Sequence, residues 1–189
     1  MMTSQMEAAI WIGMRIFPLC HSYKCTLLEF WKYDPHDYII KKPISKCRVL
    51  IQGGGAIGLL CGLILAKDKG CKNIVLSDPN KKRLDECSKY LDAKYVAPND
   101  KIINSNSFDI VFDSVGLEVS RQQAIEVVAP GGSIIHIGLT QPAGTFNFRK
   151  LTLQEITLIG TYCYTNKDFQ QNINSKTTRT MLIAKKMNY

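Results

Sequence analysis

Three glycines carry the clearest chemistry in the chain. Gly53, Gly55 and Gly58 fit the spacing G-x-G-x-x-G, with Gly54, Ala56 and Ile57 between them. Gly53 suits a tight turn off a strand. Gly55 has no Cβ and lets a diphosphate approach the backbone, and Gly58 lets a helix pack close to its strand. The free N–H groups and positive dipole end of such a helix attract phosphate. An acid, Asp78, follows 25 residues after Gly53, where a carboxylate can accept hydrogen bonds from a ribose. A G-x-G-x-x-G alone says little; its meaning depends on a strand before it and a helix after it.

Both are predicted. Arg48 to Gln52 is a short, branched apolar run, and Ala56 to Lys67 reads as an apolar helix. Gly70 should close that helix. A second strand is expected at 73–77. Pro79 then opens a charged helix from Asn80 to Tyr90. A third strand is expected at 95–97 and a fourth at 108–113, turning at Ser114-Val115-Gly116. A helix from Val119 to Val128 should stop at Pro130-Gly131-Gly132. A fifth strand at 133–137 and a sixth at 157–161 complete the pattern, with a loop and about one helical turn between them.

Strands alternate with helices, and most strands are apolar on both sides. This predicts an α/β fold with a parallel sheet covered on both faces. Right-handed crossovers give a doubly wound six-stranded sheet of order 3-2-1-4-5-6. A cofactor would then lie outside the carboxyl ends of strands 1 and 4, where the glycine turn meets Ser114 to Gly116.

The 189 residues carry a net charge of +8. The excess is +3 over 1–48, +1 over 49–166 and +4 over 167–189, so it sits at the two ends. No aromatic-basic motif accompanies it, and nucleic acid is not expected as a partner. Seven scattered cysteines form no C-x-x-C, which favours a reducing, cytoplasmic setting over a disulfide framework. Cys61 falls in the apolar helix and reads as packing. Cys20, His21 and Cys25 match no common zinc spacing. The apolar stretch from Ala8 to Cys20 is short and broken by Arg15 and Pro18, so no membrane span is expected. His136 reads as a packed strand residue. Asp109 and Asp113 read as a strand entry and a strand end near the crevice. Tyr90 and Lys94 have Tyr-x-x-x-Lys spacing, but too early in the fold to serve as a proton relay.

Val49 to about Phe169 resembles the cofactor domain of medium-chain zinc-type alcohol and polyol dehydrogenases. The resemblance is carried by residues 53–60, 76–84, 108–116, 129–138 and, most specifically, Leu-Thr-Leu-Gln-Glu-Ile-Thr-Leu-Ile-Gly-Thr-Tyr at 151–162. It implies a Rossmann domain at 47–169, flanked by an extension at 1–46 and a basic tail at 170–189. It implies that Gly53, Gly55, Ala56, Ile57 and Gly58 hold the pyrophosphate, that Asp78 binds the adenosine ribose and that Arg83 flanks it. Val115 would lie near the adenosine. Ile137, Gly138, Leu139, Thr161 and Tyr162 would flank the nicotinamide. The family often pairs strand 6 with its twin in a second subunit, which implies a homodimer.

Asp78 favours NAD, because a carboxylate repels the 2′-phosphate of NADP, while Lys81, Lys82 and Arg83 leave NADP possible. The family also implies a catalytic zinc held by a separate domain. Residues 1–46 contain no Gly-His-Glu and no set of four close cysteines, and the stretch from Asn172 is polar and basic. A cofactor domain parted from its zinc domain is therefore expected, with doubtful turnover on its own. A non-catalytic nucleotide-binding or dimerising module is one alternative. An S-adenosylmethionine-dependent methyltransferase is another, since it shares a glycine loop, an acid after strand 2 and a Pro-Gly-Gly turn.

Overall fold

The computed structural model describes residues 42–161. A 3-10 turn, Ile44–Lys46, leads into β1 (Arg48–Gln52). The chain continues through α1 (Ala56–Lys67), β2 (Asn73–Ser77), α2 (Lys81–Ser88), β3 (Lys94–Val96), β4 (Phe108–Asp113), α3 (Glu118–Val127), β5 (Val128–His136), α4 (Phe148–Leu153) and β6 (Thr157–Gly160). The six strands form one sheet in the order β3-β2-β1-β4-β5-β6, as the alternating pattern predicts. Every pairing is parallel.

Side-chain alternation divides the core into two layers. Val49 and Ile51 of β1 join Ile74, Leu76, Ile110, Phe112 and Ile135 beneath α1 and α2. Leu50, Val75, Val111 and Ile134 point the other way and pack with Ala124, Ile125 and Val127 of α3. The central strands bury both faces, which is why they read as unbroken apolar runs. α1 is buried from Gly58 to Leu65 without interruption. A helix apolar all round belongs inside.

Local chemistry sets the ends of the helices. The Asn80 side chain accepts the Lys82 N–H at 3.0 Å and so fixes where α2 begins. α2 stops at Ser88 rather than Tyr90, because Lys89 and Tyr90 turn back to the carbonyls of Glu86 and Cys87 in a tighter coil. α1 ends as expected: Gly70 takes a φ of +66°, and the Cys71 N–H returns to the Leu65 carbonyl at 2.9 Å.

β5 departs from expectation. It begins at Val128, directly after α3, instead of at Ser133. Phe108 pairs with Val128 and Ile110 with Ser133, so residues 129–132 bulge out between two paired stretches. Pro130-Gly131-Gly132 does turn the chain, but within a strand. The Gly131 N–H escapes the ladder to the Gln154 carbonyl at 2.7 Å. Other ends shift by one residue: α2 starts at Lys81, β3 (Lys94–Val96) and α3 (Glu118–Val127) each start and stop one residue early, and β5 and β6 stop at His136 and Gly160.

Phe112 is fully buried in β4, between β1 and β5. Truncating it leaves a cavity that the sheet cannot close. Phe112→Ala is expected to cost about 3–5 kcal/mol in urea unfolding, and a loss below about 1 kcal/mol would contradict this packing.

Candidate functional site

β1 ends at Gln52, and the chain turns upward through Gly53, whose φ is +99°. The Gly53 N–H donates to the Ser77 carbonyl of β2 at 2.7 Å. A Cβ on Gly58 would lie 1.8 Å from the Gly53 carbonyl oxygen. No other residue type can therefore bring α1 this close to the strand end. A Cβ on Gly55 would meet nothing within 4 Å, so the turn is open on that side. An open turn of small residues at the N-terminus of a helix can receive an anion.

Asp78 follows β2 and lies below this turn, only 2% exposed. Its Oδ2 accepts the Gly54 N–H at 2.8 Å, and its Oδ1 accepts the Asn80 N–H at 2.7 Å. An ionised carboxylate has about four acceptor positions, so each oxygen keeps capacity for a hydroxyl donor. The Arg83 guanidinium stands 3.6 Å from Oδ2, with its side chain 47% exposed. The Cys87 thiol, buried behind the turn, donates to the Gly54 carbonyl.

A second centre lies at the end of β4. Asp113 is buried, and its Oδ1 accepts from the Val115 N–H at 3.1 Å, the Gly116 N–H at 2.8 Å and the Ser120 hydroxyl at 2.9 Å. Its Oδ2 lies 2.9 Å from His136 Nδ1 on the neighbouring strand. A carboxylate can only accept, so Nδ1 is the nitrogen that carries the proton. Burial pushes the Asp113 carboxyl up, but the hydrogen bonds from His136, Gly116, Ser120 and Val115 outweigh it and hold the carboxyl below its ordinary value. The Asp113 backbone carbonyl also accepts the N–H groups of Ile137 and Gly138, both at 2.9 Å.

The loops after β4 and β5 touch backbone to backbone. A Cβ on Gly116 would sit 2.1 Å from the Gly138 carbonyl oxygen, and one on Gly138 would sit 2.1 Å from the Val115 carbonyl carbon. The glycine turn joins this contact through Ser114. Its N–H donates to the Gln52 carbonyl at 3.1 Å, and its hydroxyl bonds the same oxygen.

The structure thus brings Gly53, Gly55, Ala56, Ile57, Gly58, Asp78 and Arg83 to one corner, with Val115 beside it. Ile137, Gly138 and Leu139 follow β5, and Thr161 follows β6, its N–H bonded to the His136 carbonyl at 3.1 Å. Tyr162, Cys20, His21 and Cys25 lie outside the described residues. Asp109 is a strand-entry residue at the far end of the sheet, where it accepts the Arg48 N–H and pairs with Lys42. The Asp113–Ser120–His136 cluster had a faint sequence signal: an acid and a histidine end neighbouring strands, and they pair in register.

The described residues do not fit a zinc ion. No three His, Cys, Asp or Glu side chains converge among them. Cys47, Cys61, Cys71 and Cys87 are free and buried. Burial pushes each thiol up, to about 11 for Cys47 and Cys87, which opposes the thiolate form that a metal needs.

A family profile described as "Zinc-binding dehydrogenase" matches residues 56–177. The chain belongs to this family. The chain is 28% identical over 138 residues to D-xylulose reductase A of Aspergillus oryzae, covering 67% of itself and 38% of that protein. It superposes on the Escherichia coli L-idonate 5-dehydrogenase with a TM-score of 0.59 and 26% identity, over 67% of its own length and 38% of the other's. It superposes on the acetophenone reductase of Geotrichum candidum, solved in complex with NAD, with a TM-score of 0.67 and 23% identity, over 84% and 43% of the two chains. The chain therefore spans less than half the length of these relatives. Its family membership favours neither the methyltransferase nor the purely non-catalytic alternative.

The lowered Asp113 carboxyl has a consequence for stability. The unfolded carboxyl takes up its proton near 3.8, before the folded one does. The stabilisation is therefore complete above that range and is lost as pH falls through the lower folded value. Asp113→Ala is expected to cost about 3 kcal/mol or more at pH 7, since several donors lose a charged acceptor. The gap to wild type should narrow below pH 3.8. A gap that stays constant down to pH 2 would contradict this account.

Proposed function

We propose that this chain binds NAD at the corner between β1 and β4, as the nucleotide half of an alcohol or polyol dehydrogenase. The observation that carries the reading is the open turn at Gly55 with the Asp78 carboxylate fixed beneath it by the Gly54 N–H. In this reading the amides of Gly55, Ala56, Ile57 and Gly58 hold the pyrophosphate at the N-terminus of α1, while Gly53, whose N–H goes to the Ser77 carbonyl, shapes the turn beside it. Asp78 accepts from the adenosine ribose and Arg83 flanks it, with Val115 near the adenosine. Ile137, Gly138, Leu139, Thr161 and Tyr162 flank the nicotinamide. Bound nicotinamide supplies hydride transfer between an alcohol and a carbonyl.

The choice of NAD over NADP rests on charge. A 2′-phosphate would have to settle beside the Asp78 carboxylate. Arg83 offers partial relief at best, because its guanidinium is already directed at Asp78. The relatives are longer than this chain; in this reading the substrate pocket and the zinc belong to parts outside the described residues, and turnover is proposed for a protein that also has those parts. A cytoplasmic location accords with four free buried thiols. No described helix is long and apolar enough to cross a membrane.

We also propose a homodimer through β6. β6 ends the sheet and pairs with β5 on one side. Leu158 on this strand is 43% exposed, and Leu153 and Phe148 of α4 are 72% and 65% exposed. An apolar edge strand next to further exposed apolar side chains is suited to pairing with its own copy.

Calorimetric titration tests the cofactor. NAD is expected to bind about tenfold or more tightly than NADP, and Asp78→Asn should erase most of that preference. Binding of S-adenosylmethionine in place of NAD would overturn the reading. For the dimer, light scattering should show Leu158→Lys as a monomer at concentrations where the wild type is dimeric. A monomeric wild type would remove that proposal.

A further inference from the structure

The loop that leaves β5 runs from Ile137 to the start of α4 at Phe148. From Leu139 to Thr145 its residues are exposed, so it has little core of its own. Its shape is set by the first turns of α3. The Arg121 guanidinium donates to the Gly116 carbonyl at 2.9 Å, to the Ala143 carbonyl at 3.2 Å and to the Gln141 carbonyl. Glu118 completes the clasp. Its N–H donates to Gln141 Oε1 at 2.6 Å, and its carboxylate accepts the N–H and hydroxyl of Thr145. The Gln141 N–H returns to the Gly116 carbonyl at 3.0 Å.

We propose that Arg121 is a positioning residue for the nicotinamide half of the dinucleotide. It would act through the carbonyls of Gly116, Gln141 and Ala143. This inference rests on the NAD reading above and goes a step beyond it. Three carbonyls from two loops converge on one planar fork, an arrangement that arginine can satisfy and a lysine point charge cannot. Two of the three carbonyls, those of Gln141 and Ala143, lie on the loop that begins with Ile137, Gly138 and Leu139, whereas Gly116 follows Val115, which the NAD reading puts near the adenosine. The bonds of Arg121 reach neither the Gly53–Gly58 turn nor Asp78. Its influence should therefore fall mainly on the nicotinamide half of the ligand, which the loop after β5 flanks, with the Gly116 bond as its one tie toward the adenosine side. A loop already ordered costs less conformational entropy when that half docks.

ADP-ribose keeps the adenosine and diphosphate of NAD and lacks the nicotinamide. The test titrates NAD and ADP-ribose into the wild type, Arg121→Ala and Arg121→Lys, and records the emission of bound NADH. Arg121→Ala is expected to weaken NAD about tenfold while ADP-ribose stays within about twofold, as for loss of a charge-assisted hydrogen-bond set remote from the diphosphate. Arg121→Lys should fall between the two, and the NADH emission should shift toward that of free NADH. If Arg121→Ala does not fold, Arg121→Lys carries the same comparison. Equal losses for both ligands, or none for either, would overturn the proposal. A wild-type chain that binds neither ligand would instead sink the NAD site itself, and the positioning role with it.

Discussion

The structure depends on backbones that approach closer than any side chain allows. At one crossing α1 descends onto the end of β1, with Gly58 above the Gly53 carbonyl. At another the loops after β4 and β5 meet at Gly116 and Gly138. A helix dipole acts mainly within its first turn, so distance from the strand end decides whether its amides can serve a ligand there. A methyl group at Gly58 would force the helix away and open the corner. The glycines thus hold the geometry by what they lack.

Buried carboxylates solve a second problem common to both corners. Where a strand ends and the chain turns, backbone N–H groups leave the ladder and need acceptors. Asp78 takes those of Gly54 and Asn80, and Asp113 takes those of Val115 and Gly116. Removing such a charge from water is costly unless it is well hydrogen-bonded. At Asp113 the Ser120 hydroxyl and His136 complete the shell, and the lowered carboxyl shows that the donors outweigh the burial. These acids are parts of the turns, and any ligand contact at Asp78 is added to a structural duty.

How much of this could be read beforehand follows from what each feature requires of the sequence. β1, α1, β2 and β4 were legible to the residue because apolar runs stop at glycine or charge. The glycine corner was legible because its chemistry is backbone geometry, and only one residue type provides it. β5 was misplaced because Pro130-Gly131-Gly132 turns the chain without ending the pairing, and only the register of Val128 against Phe108 reveals that. The Asp113–His136 pair needed the strand order as well as the residues. Arg121 left no signal at all. Its partners are carbonyls, which every residue has, and two of the three lie about twenty positions away.

The crevice falls at β1 and β4 because the two core layers diverge there. α1 leaves β1 toward the face built on Val49 and Ile51, whereas α3 leaves β4 toward the face built on Leu50 and Val111. Two helices that start from neighbouring strands and depart to opposite faces leave a gap between their N-termini, and no side chain of the sheet itself can fill it. Ser114 bridges the floor of that gap through the Gln52 carbonyl, and Gln52 reaches across to Ser120 and Gln123 of α3. The two halves of the site are therefore built on separate layers and joined at one narrow seam. A ligand spanning them should draw on two nearly independent supports, the Gly58–Asp78 corner and the Asp113–Arg121 frame. Their energies should add when perturbed separately, because they share little beyond Ser114 and Gln52.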